Sequence, residues 1–231
     1  MRKAILTTVL AGLIALPVWG QFGFFGGGQQ TGDALLQNKS VQKELKLSEK
    51  ETEALGKIQR ESFTKIREVF QDAEGDQEKI REGMQKVQKD TGKALAKFKE
   101  GLTKEQKSRF GEIEYQVAAQ TNDLSFLKRE DIQKALKFTD KQKKLVKTTE
   151  EGLTKDLKEV FDDAKENMDF SSLRTKIPKL RKEAYEAVSK TFDDDQKKVW
   201  KEKSGKKFEY KADPFPGKGK GKLKKKKDDD E

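Results

Sequence analysis

The side chains of this chain that could take part in acid–base chemistry are limited to Asp, Glu, Lys and Tyr. The 231 residues include 51 Lys and Arg and 41 Asp and Glu, but no His and no Cys. A Ser-His-Asp triad, a Cys-His nucleophile, a zinc site with His or Cys ligands and a disulfide are therefore all excluded. The spacing of the remaining groups sets no catalytic pair apart. The sequence predicts a protein that is not an enzyme and needs no metal or cofactor.

Four short motifs share a pattern that suits the start of an α-helix. In each, an apolar residue precedes Ser, Thr or Asp, and Glu or Gln follows three residues after that polar residue. The sets are Leu47, Ser48 and Glu51; Leu102, Thr103 and Gln106; Phe138, Thr139 and Gln142; and Phe192, Asp193 and Gln196. In such a capping box, the polar side chain accepts from the N3 amide and the N3 side chain accepts from the cap amide. Capping explains these residues without any ligand.

The motifs belong to a repeat with an offset of about 91 residues. Residues 41–47 align with residues 132–138, and residues 64–70 align with residues 154–161 if one residue is inserted. Phe110 then aligns with Trp200. Because these matches occur at separate places in the same order, we predict two tandem modules, module 1 at residues 35–123 and module 2 at residues 124–204.

Apolar spacing predicts that each module consists of helices. Between Ile80 and Phe98, apolar residues recur at intervals of three and four, which places them on one helical face. A turn at residues 74–76 joins this helix to the one before it. Because 40% of the residues are charged, long helices with a narrow buried stripe are favoured over a two-layer domain. The predicted fold is all-α, with amphipathic helical hairpins, and Pro178 either starts or kinks a helix of the second hairpin.

The N-terminal segment has the layout of a secretory signal peptide. Residues 1–20 contain Arg2 and Lys3, a short apolar run and a small residue at Gly20. The run is shorter than the roughly 20 residues that span a membrane, although an uncleaved anchor stays an alternative. Cleavage near Gly20 would leave a Gly- and Gln-rich spacer, residues 21–34, at the start of a periplasmic or secreted protein. The absence of Cys suits such a compartment.

The C-terminal segment, residues 205–231, is predicted to be a disordered tail that is rich in Lys and ends in acidic residues. A cluster of Lys224, Lys225, Lys226 and Lys227 could contact anionic lipid or polysaccharide through screened attraction. A purely solubilising tail is the alternative. The net charge of +10 lies mainly in module 2 and in the tail. The modules carry both signs in near balance and lack a basic stripe, which disfavours nucleic acid as a partner.

One of the motifs supports a family resemblance. Leu102-Thr103-Lys104-Glu105-Gln106 matches Leu-Thr-x-x-Gln in full, and the other three motifs differ at one or two positions. Over about residues 35–204, the chain resembles the LTxxQ-motif family of periplasmic proteins (Spy/CpxP-like chaperones). The resemblance implies an ATP-independent envelope-stress protein, often dimeric, that holds unfolded or misfolded envelope proteins on a concave helical surface. Metal-responsive relatives use His ligands, so the absence of His disfavours metal sensing.

A candidate client contact lies between the modules. Phe126, Leu127, Lys128 and Arg129 combine apolar side chains with positive charge, which is the character that weak client binding requires. Other Phe residues could contribute, but core packing is the commoner role of Phe. The alternative function is that of a structural or anion-binding envelope protein that acts through its Lys-rich tail.

Duplication leads to a prediction about the oligomeric state. The family usually has one motif pair per chain, whereas this chain has two, so we expect the two modules to form within one chain the cradle that relatives form by dimerising. Light scattering coupled to size exclusion should then give the mass of a monomer. An obligate homodimer would contradict this expectation.

Overall fold

The structure is a computed structural model that describes residues 32–211, and its regular elements in that range are all helices. A 3-10 helix, Gly32–Gln37, is followed by nine α-helices: α1 (Lys39–Glu44), α2 (Glu49–Asp72), α3 (Gln77–Glu100), α4 (Lys104–Thr121), α5 (Leu124–Lys128), α6 (Glu130–Ala135), α7 (Asp140–Glu166), α8 (Leu173–Ser189) and α9 (Asp194–Ser204). The predicted all-α fold is confirmed. In the described range, no helix is long and apolar enough to cross a membrane.

Two long helical hairpins dominate the fold. Helices α2 and α3 pack against each other, and α7 packs against α8 in the same way. The predicted turn between α2 and α3 is present, where Glu74 and Gly75 both adopt positive φ, 48° and 92°, to reverse the chain. Each helix of the first hairpin has 24 residues, a length of about 36 Å.

Pro178 lies inside α8, which begins five residues earlier at Leu173. The prediction that Pro178 starts this helix is therefore wrong, while its second alternative, a kink of the helix at Pro178, stays a prediction. The pyrrolidine ring removes the amide that would otherwise bond to the carbonyl of Arg174.

The short helices before each hairpin repeat the same local contacts. The Gln42 side chain donates to the carbonyl of Leu36 at 2.9 Å, and Gln133 donates to the carbonyl of Leu127 at 3.0 Å. A few residues later, Lys46 and its counterpart Lys137 adopt nearly identical positive φ angles, 50° and 51°. The backbone therefore follows the repeat in detail, including its departures from helical geometry.

Apolar side chains form three clusters. The module 1 core lies between the short helices, the base of the α2–α3 hairpin and α4, with Phe110 and Ile113 fully buried. The module 2 core has the equivalent place, but Tyr115 and Ala118 of α4 also belong to it. A third, distal cluster around Ile66 and Met84 fills the outer half of the first hairpin. Helix α4 packs along α9 and thereby joins the two modules.

Both predicted segment boundaries change. Residues 32–34, assigned to the spacer, are part of the 3-10 helix, where Asp33 pairs with Lys99 at 2.7 Å. Residues 205–211, assigned to the disordered tail, lie against module 1, and Phe208 is buried in its core. We call residues 205–211 the strap. The remainder of the predicted spacer and tail lies outside the described residues. The charge-rich composition of the strap favoured a prediction of disorder. Composition does not reveal the docking, because it depends mainly on one buried side chain, that of Phe208.

Two truncations should separate the strap from the rest of the tail. A chain that ends at Ser204 loses Phe208 from the module 1 core, and we expect its free energy of unfolding to fall by about 3–5 kcal/mol, as for removal of a core Phe. A chain that ends at Lys211 keeps the strap and should match the full-length protein. Urea unfolding followed by circular dichroism measures both. Equal stability of the two truncated chains would contradict the packing of Phe208.

Candidate functional site

All four predicted motifs form complete capping boxes. Ser48 caps α2, Thr103 caps α4, Thr139 caps α7 and Asp193 caps α9. In the Thr103 box, for example, the Gln106 amide donates to the Thr103 hydroxyl at 3.2 Å, and the Thr103 amide donates to Gln106 Oε1 at 2.9 Å. Local hydrogen bonding thus explains the Ser, Thr or Asp at each cap and the acceptor three residues later.

The motifs of module 2 also bond to each other. Gln142 and Gln196, the N3 residues of α7 and α9, exchange two amide hydrogen bonds of 2.8 and 3.0 Å. Gln196 also donates to the carbonyl of Leu136, and Gln142 donates to that of Thr191. Both side chains are buried. Only an amide can accept from its own cap and donate across the pair, so Gln is required at these positions for a reason that capping alone does not supply.

The corresponding pair in module 1 is Glu51 and Gln106. Gln106 donates weakly to the carbonyl of Leu45 at 3.4 Å, which repeats the bond from Gln196 to Leu136. Hydrogen bonds from Ser48, with a smaller contribution from Gln106, lower the pKa of Glu51. Glu51 is more exposed than Gln142, and water can serve the oxygen atoms that the protein leaves unbonded. The sequence reasoning missed this pairing, although the 54-residue interval between Gln142 and Gln196 was a signal for it.

Exchanging Glu and Gln between the modules tests the pairing. Gln142→Glu keeps the capping acceptor but removes the amide that donates to Gln196 and Thr191, so we expect a loss of about 1–3 kcal/mol in unfolding free energy at neutral pH. Glu51→Gln is the matched control, because it keeps the capping acceptor and adds a donor, and should change stability by less than about 0.5 kcal/mol. Equal effects of the two substitutions in chemical unfolding would show that capping is the whole role.

The predicted client contact between the modules is corrected by the structure. Phe126 and Leu127 are buried in the module 2 core, 3% and 0% exposed, so neither presents an apolar surface to a client. Phe126 lies edge-on to Tyr115 and Trp200, with ring centroids 5.0 and 5.8 Å away from the respective partners. Lys128 is exposed and pairs with Glu150 at 2.8 Å. Phe126 and Leu127 are thus accounted for by core packing where the two modules meet.

Arg129 makes several interactions where the two modules meet. Its guanidinium pairs with Glu114 of α4 and with Asp131 of α6, and it lies 5.2 Å from the ring centroid of Phe126. Burial raises the pKa of Glu114, and the nearby positive charges of Arg129 and Lys99 offset this only in part. A hydrogen bond from Arg129 lowers the pKa of Asp131, and burial raises the pKa of Tyr115 to about 12.

The raised pKa of Glu114 predicts a pH dependence of stability. Between the unfolded pKa near 4.5 and the higher folded pKa, the folded chain holds a proton that the unfolded chain has lost, so this group's contribution to stability falls as pH rises. Glu114→Gln should remove that decline, and the exposed Glu105→Gln on the same helix should not. Unfolding free energies of the three chains measured from pH 4 to pH 8 compare them. Parallel curves for all three would contradict the prediction.

An open cleft lies beside the middle of α7 in the second hairpin. It has a volume of about 290 Å³ and is lined by Leu153 and Leu157 of α7, by Glu150 and Arg181 at its sides, and by residues 122–125 of the linker between the modules. Leu157 is partly exposed, whereas its counterpart in the repeat, Ile66, is 4% exposed.

The outer half of the second hairpin is less well buried than that of the first. Ala164 is buried there, but the larger apolar residues of its helices are partly exposed, namely Leu157, Val160, Phe161, Leu173, Ile177 and Leu180. The buried Met84 and Thr91 of module 1 are replaced in module 2 by Arg174 and Arg181, whose charges do not pack into a dry interface. Helix α8 is also shorter than α3, with 17 residues against 24. The result is an apolar stripe with cationic neighbours.

No metal-binding cluster of acidic residues is present between residues 32 and 211. The predicted anion contact at Lys224–Lys227 and the predicted signal peptide both lie outside the described residues. Comparison of the chain with family models, with curated proteins and with solved structures finds no match.

Proposed function

We propose that this protein is an ATP-independent chaperone of the cell envelope that holds unfolded or misfolded clients on the partly exposed apolar stripe of its second hairpin. The observation that carries the proposal is the difference between the two hairpins. Ile66 of the first hairpin is buried in the distal cluster, whereas its counterpart in the second hairpin, Leu157, lines an open cleft. Exposed contiguous apolar surface is typical of interaction sites rather than of inert helical faces.

The chemistry of the stripe suits weak and reversible binding. Leu153 and Leu157 offer apolar contact, while Arg181 of α8 lines the same cleft. Unfolded chains expose both apolar and acidic side chains, and a surface with both characters binds many of them without selecting one sequence. Shallow clefts bury little area per client, which keeps affinity low enough for release without ATP. The resemblance to the LTxxQ-motif family and the predicted signal peptide agree with an envelope location.

The molecule can keep a stable fold while the stripe exposes apolar side chains, because the stripe and the module 2 core lie in different parts of the hairpin. The module 2 core lies at the hairpin base, where Val146, Val188 and Phe192 are buried. The outer half of the hairpin does not depend on that core. Clients can therefore contact Leu157 and its neighbours without opening the capping pair of Gln142 and Gln196.

Suppression of client aggregation tests the proposal. The full-length protein, without nucleotide, should prevent light scattering by a denatured client at near-stoichiometric ratios. Leu157→Glu places a charge in the cleft, and we expect about tenfold more of this variant to be needed, since burial of one Leu side chain is worth about 1.5–3 kcal/mol. Met168→Glu is the matched control, because Met168 is 78% exposed at the hairpin end and lies outside the cleft.

Three outcomes separate the alternatives. No suppression by the unmodified protein would rule out the chaperone function, and equal loss in both variants would rule out the cleft as its site. A chain that ends at Lys211 lacks the Lys-rich cluster but keeps the strap. Loss of activity only in that truncated chain would move the function to the tail and favour an anion-binding envelope protein. Circular dichroism of each variant confirms that the helices are intact.

A further inference from the structure

Module 1 binds the backbone of the strap by hydrogen bonds, in addition to burying the side chain of Phe208. Arg109 and Gln116 donate to the carbonyl of Lys206 at 2.7 and 2.8 Å, and the amide of Phe208 donates to Gln116 Oε1 at 2.6 Å. Gln120 donates to the carbonyl of Phe208 at 3.2 Å. All of these groups lie on α4 and reach main-chain atoms that every peptide possesses.

The far end of the strap is bound in the same manner. Asn38 donates its side-chain amide to the carbonyl of Lys211 at 2.8 Å, and the Lys211 amide donates to the hydroxyl of Ser40 at 3.3 Å. Asn38 is fully buried, and its Oδ1 caps α1. The orientation of its amide is therefore fixed by contacts outside the strap. The groove therefore presents preoriented donors and acceptors along its whole length.

Only one side chain of the strap is fully inserted. Phe208 is 6% exposed in the module 1 core and Tyr210 packs against the same core, whereas Lys207 and Glu209 point outward and are exposed. Alternate residues thus face the protein, as in an extended peptide. Main-chain hydrogen bonds with pockets for alternate side chains are a general mode of recognition for extended peptides.

We propose that this groove is a binding site for an extended polypeptide segment that carries an aromatic residue, and that the strap occupies it as an intramolecular competitor which such a segment replaces. The inference rests on the proposed chaperone function and names a second client site, on module 1, for it. An unfolded client supplies the extended backbone that Gln116 and Asn38 bind and the aromatic ring that replaces Phe208. The strap keeps the groove filled when no client is present.

Gly205 controls how readily the strap vacates the groove. It ends α9 with φ 57° and ψ −143°, a backbone conformation that residues with a side chain adopt only under strain. A Cβ at this position would also lie 2.1 Å from Cδ of Glu112. Gly205→Ala therefore favours release of the strap, and it leaves Gln116, Gln120, Asn38 and Phe208 in place, although the added Cβ displaces the Glu112 side chain that pairs with Arg109.

Peptide binding to the full-length protein tests the proposal. The probe is a fluorescein-labelled peptide of seven residues, with Phe at the fourth position among Ser, Thr and Gly, and its partner has Ala in place of Phe. A tethered strap competes at an effective concentration in the millimolar range, so the unmodified protein should bind the Phe peptide weakly. Gly205→Ala should bind it about tenfold more tightly by fluorescence anisotropy, because release of backbone strain favours the open groove.

Matched variants make the result specific. Gly152→Ala is the control, since Gly152 lies within α7 and a Cβ there meets nothing within 4 Å. It should bind the Phe peptide as weakly as the unmodified protein. Adding Gln116→Ala to Gly205→Ala should abolish the gain in affinity, and the Ala peptide should not bind to any variant. Helical content and thermal unfolding show whether each variant is folded.

The proposal is overturned if Gly205→Ala and Gly152→Ala bind the Phe peptide equally, or if Gln116→Ala leaves the gained affinity intact. It is also overturned if Gly205→Ala forms dimers that bind no peptide, because the released strap then occupies a second copy. The chaperone function is judged separately by suppression of aggregation. Peptide binding in the groove without suppression would leave this site standing and remove the chaperone function, and suppression without peptide binding would do the reverse.

Discussion

In each module the starts of two helices lie side by side, α2 and α4 in module 1 and α7 and α9 in module 2, and the packing of the module is built on this contact. Helix starts carry unpaired amide groups and the positive end of the helix dipole, so two adjacent starts repel each other and compete for acceptors. Capping boxes satisfy the amides, and acidic residues in the first turns, such as Glu49 and Glu105 in module 1, offset the dipoles. In module 2, the Gln142–Gln196 amide pair then joins the two starts directly. Hairpin position and core both follow from this arrangement.

Once the bases of the hairpins are held in this way, their outer halves are free to differ. In module 1 the outer half closes around Ile66 and Met84. In module 2 the arginines at the corresponding positions of α8 leave Leu157 partly exposed. Both modules thus keep their capping boxes, while the outer half of the second hairpin is less well buried than that of the first.

Two packing contacts join the modules to each other. Helix α4 extends beyond the length of its counterpart α9 and supplies Tyr115 to the module 2 core. The strap runs in the opposite direction, from the end of α9 back to the module 1 core through Phe208. Helix α4 of module 1 thus contributes to the module 2 core, and the strap that follows module 2 contributes to the module 1 core. The buried Glu114 of α4 pairs with the partly exposed Arg129 where the modules meet, and so links α4 to the second module.

Sequence patterns are enough to predict the long helices, the repeat and the capping boxes, because these depend on interactions within a few residues and on a period that apolar side chains display directly. Phe138, Thr139 and Gln142 predict a helix start wherever that helix is packed. The Gln142–Gln196 pair, the burial of Phe126 and the docking of Phe208 are visible only in the folded molecule, since each joins residues far apart in the chain. Phe126 and Phe208 stand among charged neighbours in the sequence, and no local pattern tells a ring that is buried between modules from one that faces a client.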